Sequence, residues 1–95
     1  MAEKVKREVF DMPEDCLINL NGKGDVVEFD GKYYEYVDEK LKNGDGECHE
    51  VIIQRHEDSK YFTFSWCYYR DSYFYDTEVE EVFKKTKTKI ITTYE

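Results

Sequence analysis

Ninety-five residues make one domain's worth of chain, and 22 acids against 14 bases leave it a formal net charge of −8. No apolar run is long enough to cross a bilayer, and the opening Met1-Ala2-Glu3-Lys4-Val5-Lys6-Arg7 lacks the apolar stretch of a signal peptide, so a cytoplasmic protein is expected. Nine Tyr, six Phe and one Trp argue against disorder, because disordered chains lack rings and rings supply large buried area per residue.

The N-terminal region admits two readings. Val5 to Phe10 suits a strand. Asp11-Met12-Pro13-Glu14 suits a helix start with Pro in the first turn and Gly22 as the stop, while Cys16 to Leu20 equally suits a strand. From Val26 to Val37 the pattern is clearer: Asp30-Gly31 sits between two alternating runs, the mark of a two-residue hairpin whose central positions both need positive φ. Pairing across that turn sends Val27, Phe29, Tyr34 and Tyr36 to one face, read as core. Glu28 and Glu35 share the other with Val26, Tyr33 and Val37.

After the polar loop from Leu41 to Glu47, which is too short for an EF-hand, a second hairpin is expected. Cys48 to His56 alternates, Asp58-Ser59 is placed at the turn, and Tyr61 to Arg70 alternates again. One face then carries Val51, Ile53, Phe62, Phe64, Trp66 and Tyr68. The other carries Cys48, Glu50, Gln54, His56, Thr63, Ser65 and Cys67. Thr77 and Glu80 fit a capping box, and Val79, Val82 and Phe83 lie at helical spacing, which predicts a short helix over 78–85 with an extended segment as the rival. Lys87 to Tyr94 reads as a final strand whose lysines blunt a sheet edge. The fold class expected is α+β: a small twisted antiparallel sheet, hairpin-rich and barrel-like, with one or two short helices. Its inner face should hold Val27, Phe29, Tyr34, Val51, Ile53, Phe62, Phe64 and Trp66.

Chemistry is sparse. An odd number of cysteines without paired spacing fits a reducing compartment, with the thiols as small semi-buried side chains. Cys48, His49, His56 and Cys67 cannot converge on one metal, since His49 faces away from Cys48 and His56 lies a strand's length from it. No nucleotide-binding glycine motif or nucleophile elbow is present, so no catalytic, cofactor or metal residues are assigned and an enzyme is not expected. Tyr33, Tyr69, Tyr73 and Tyr75 could stack bases, but residues 1–81 hold 21 acids and 10 bases, a balance of −11 that repels phosphate and argues against direct nucleic-acid binding.

Acids and rings together suit a basic protein partner: rings anchor interfaces and carboxylates steer. The expected binding face comprises Glu28, Tyr33, Glu35, Glu47, Glu50, Asp71, Asp76 and Glu78. In size, acidity and compact β-rich make-up, though in no residue motif, the chain resembles the small acidic phage proteins that mimic DNA. The resemblance implies a stoichiometric inhibitor in the host cytoplasm that occupies a DNA-binding protein such as a nucleoid protein. Two alternatives stay open. One is an interaction or homodimeric assembly module using Lys87 to Tyr94 as an edge strand, and the other is a small-ligand-binding β-barrel.

Overall fold

The computed structural model describes residues 7–42, 47–87 and 91–94. In chain order the elements are β1 (Val9–Asp11), α1 (Glu14–Leu17), β2 (Val26–Phe29), β3 (Lys32–Lys42), β4 (Glu47–Arg55), β5 (Tyr61–Tyr69), β6 (Ser72–Tyr75), β7 (Glu78–Val82), β8 (Lys84–Lys87) and β9 (Ile91–Tyr94). The first seven strands form one antiparallel sheet in the order β1-β7-β5-β4-β3-β2, with β6 also pairing β5. β5 is shared lengthwise: Tyr61 to Thr63 face β7, and Trp66 to Tyr69 face β6. The sheet curls, because Phe10 of β1 stacks on Phe29 of β2 at 5.9 Å although those strands stand at opposite ends of the order. The α+β class, with its twisted, barrel-like sheet and a single short helix among the described residues, is therefore as expected.

Each hairpin follows from its turn. Asp30 and Gly31 have φ of 53° and 76°, the paired positive values of the tight turn, and Phe29 pairs Lys32 directly across it. The β4–β5 connection differs from expectation: Arg55 N–H donates to the Lys60 carbonyl, so four residues form the loop, with Ser59 at φ 60°. Its centre lies at Glu57-Asp58 and not at Asp58-Ser59, which shifts the register by two. An even shift keeps every side chain on its expected face. Cys48 nevertheless moves from diagonal to directly opposite Cys67.

The concave face holds the core: Val27, Tyr34, Tyr36, Val51, Ile53, Phe62, Phe64 and Val79, with Phe29 and Trp66 packed against it. Burying each large apolar side chain contributes about 1.5–3 kcal/mol. Met12, Leu17 and Leu20, from the segment around α1, fill the opening of the curl. Pro13 precedes the helix and its carbonyl accepts the N–H groups of Cys16 and Leu17, but the helix ends at Leu17, well short of Gly22. A guanidinium closes one end of the core. Arg55, 3% exposed, pairs with Glu8 and Asp58, each through a contact of 2.7 Å, and lies over the Phe62 ring.

Two expected elements are corrected. Residues 78–82 form a strand, not a helix, because β1 and β5 offer ladders on both sides of it, an option invisible to local spacing. Lys87 to Tyr94 is not an edge of the main sheet: β8 and β9 pair with each other, Lys84 opposite Tyr94 and Lys87 opposite Ile91. The Asn43 to Gly46 part of the polar loop and Val5 and Lys6 lie outside the described residues, while Val9 and Phe10 of the expected N-terminal strand belong to β1.

Candidate functional site

The concave face runs on past the core into an aromatic and acidic end, built where β4, β5 and β6 extend together. Trp66 pairs Tyr75, and Tyr68 pairs Tyr73. The four rings form one cluster, with Trp66–Tyr73 at 5.8 Å, Trp66–Tyr75 at 6.3 Å and Tyr68–Tyr73 at 4.9 Å. The β5–β6 turn uses Arg70 and Asp71, both at positive φ. Asp71 accepts a hydrogen bond from the Tyr68 hydroxyl, which raises the Tyr68 pKa. Burial, then the neighbouring Tyr73 and Glu14, raises the pKa of Tyr75. Tyr73 is 60% exposed, and Phe74, on the opposite face, 58%.

A β-bulge brings further acids here. Between Tyr36 and Asp38 the β3–β4 register shifts, so Tyr36 opposes Ile53 and Glu39 opposes Val51. The extra residue turns Glu39 and Leu41 to the concave side, where unbroken alternation would have placed Asp38 and Lys40. Glu39 there meets His49, whose Nδ1 lies 2.9 Å from Oε2. His49 Nε2 lies 3.1 Å from Glu47 Oε1 but out of line for an N–H···O bond. Its ring stacks on Trp66 at 4.3 Å and 14°. Burial and the Glu39 carboxylate both raise the Tyr36 pKa, so Glu39 bridges core hydroxyl and histidine.

Past Tyr75 the chain turns into β7 with Asp76 N–H donating to the Ser65 carbonyl, and Met12 N–H donates to Thr77. Glu78 then stands directly opposite Asp11 in the β1–β7 ladder. Among the described residues no base pairs with Asp11, Glu14, Asp76 or Glu78.

The eight expected binding residues thus fall in separate places. Glu47, opposite Tyr68, and Asp71, which accepts from the Tyr68 hydroxyl, lie at the aromatic end, whereas Glu78, next to inward-facing Val79, points to the outer face, with Asp76 accepting from its N–H. Glu28, Tyr33 and Glu35 share the outer face of the β2–β3 hairpin, where Glu35 accepts from His56 at 2.9 Å. Glu50 stands on that outer face on β4, opposite Lys40. Of the four proposed stacking tyrosines, Tyr73 and Tyr75 come together, Tyr69 lies on the reverse face and Tyr33 on the distant hairpin. The sequence reading missed the disulfide joining Cys48 to Cys67, which leaves Cys16 as the free thiol and removes the argument from unpaired cysteines to a reducing compartment. It also missed His49, whose carboxylate partner depends on the bulge. No helix among the described residues is long and apolar enough to cross a membrane. No protein-family model, curated protein or solved structure matches the chain.

Proposed function

We propose that the chain is a non-catalytic binding protein that sets its acidic, aromatic end against the basic surface of a partner, of the kind with which nucleic-acid-binding proteins hold phosphate. One observation carries this reading: Asp11 and Glu78 stand directly opposite each other across a ladder, without a base against them among the described residues. Like charges directly opposite in a sheet are destabilising, so a cationic partner gains by relieving them. Rings already in mutual contact offer a partner large contact area at little entropic cost. Such a protein acts stoichiometrically, in the manner of a DNA mimic.

The test is capture from nuclease-treated bacterial lysate at low salt and at about 0.5 M, where screening shortens to a few Å. The expected result is a basic DNA-binding protein, held at low salt and released at high, whose capture is lost in Tyr73→Ala combined with Asp76→Lys. Capture of a neutral protein indifferent to salt, or capture unaffected by that pair of substitutions, would reject the reading.

A further inference from the structure

The other edge of the sheet is open. β2 pairs with β3 alone. Around a two-residue turn the flanking residues, Phe29 and Lys32, exchange backbone bonds, and alternation makes Val27 and Tyr34 the next bonded pair. Tyr36 N–H donating to the Asp25 carbonyl at 2.8 Å continues the same parity. The N–H and C=O groups of Val26 and Glu28 therefore point away from β3, and among the described residues nothing bonds to them. Beside them lies a groove of about 430 Å³ between α1 and β2, lined by Cys16, Asn19, Asp25, Val26, Val27 and Glu28. Val26 is 46% exposed.

We propose that this groove takes an extended basic segment of a partner protein as an additional strand on β2. A strand seated about 4.8 Å from β2 would find four backbone partners at Val26 and Glu28. Its alternate side chains would fall on two different surfaces. One set lies on the outer face beside Glu28, Tyr33 and Glu35, and the other lies inward against Val27, Phe29 and Cys16. The ligand is thus a segment alternating basic and small apolar residues. Charge selects the basic side chains: Asp25 and Glu28 line the groove, with Lys23 as the base in the adjoining loop. Charge also disfavours a second copy, since a β2–β2 ladder would bring Glu28 and Asp30 of two chains, each at −8, against one another. This edge is separate from the aromatic end, and the proposal holds or fails independently of it.

The probe is a blocked, fluorescent hexapeptide alternating Lys and Val, titrated against the full chain with the disulfide intact. Expected are saturable binding, amide shifts in the ¹H–¹⁵N spectrum centred on Val26 and Glu28, and slowed alkylation of Cys16. A Glu28→Lys chain should bind about tenfold more weakly, as expected for reversal of an interface charge. Methylating the peptide nitrogens of alternate residues should abolish binding in one parity only. Tyr73→Ala should leave binding unchanged. The proposal is overturned by absence of binding, by shifts centred elsewhere, by insensitivity to both N-methyl parities, or by a dimer of the chain that protects Val26 and Glu28 without the peptide.

Discussion

At the scale of single residues, the most consequential side chain for stability is Arg55. Its guanidinium is buried beneath Glu8 and Asp58 and donates at 3.4 Å to the Tyr34 hydroxyl. Both carboxylates are held below their ordinary values, first by the hydrogen bonds from Arg55. Arg55→Met keeps the stem over Phe62 but strands two half-exposed carboxylates, so a loss of about 2–4 kcal/mol is expected, the low end of what breaking a buried pair costs. The sign of its pH dependence follows from the depressed carboxylates. Their contribution is fully present above the ordinary carboxylate values of 4.5 for Glu and 3.8 for Asp, and is lost as pH falls through the lower folded values. In urea melts the gap between parent and Arg55→Met should be constant from neutral pH down to about pH 5 and should close below about pH 4. A gap that widens on acidification would show that the network does not act through ionised Glu8 and Asp58.

At the scale of elements, β4 and β5 carry both core and site, and the Cys48–Cys67 bond ties their far end. The bond spans 19 residues of sequence, so replacing both cysteines with Ala should cost about 3 kcal/mol on the chain-entropy scale. A dithiol reductant should lower the urea midpoint of the parent to that of the double variant, and should not move the double variant. An unchanged midpoint in reduced parent would remove the cross-link from the account. These same strands show what was legible in the sequence. Alternation along Val51 to Ile53 and Phe62 to Trp66 named the inner face, and Asp30-Gly31 named its turn, because both signals are local. The disulfide was hidden by a turn register off by two, which preserves faces but moves partners. β7 was read as a helix because Thr77, Glu80 and the spacing of Val79, Val82 and Phe83 satisfy helical rules; only the neighbouring β1 and β5 decide otherwise. Of the acids named from sequence, Glu47 and Asp71 lie beside the ring cluster, whereas the contact of His49 with Glu39 depends on a bulge without a sequence mark.

At the scale of the whole molecule, charge sets stability and binding in opposition. A chain at −8 repels itself, and at Asp11 and Glu78 the repulsion is local and directed. If those acids merely kept the protein soluble, neutralising one would leave binding alone. If they await a basic partner, Glu78→Gln should do two things at once. It should raise stability by up to about 1 kcal/mol, the scale of a cross-strand pair, and it should weaken capture of the partner. Added salt should move each quantity as the substitution does: going from about 0.01 to 0.15 M shortens the screening length from roughly 30 to 8 Å, stabilising the free chain while loosening the complex. Thermal melts and binding titrations on the same two proteins, at both salt concentrations, measure the four changes together. The informative result is their correlation. A Glu78→Gln chain that gains stability yet binds as tightly as the parent would make the acidic edge a cost without a partner, and would move the search for the binding face to the outer side of the β2–β3 hairpin.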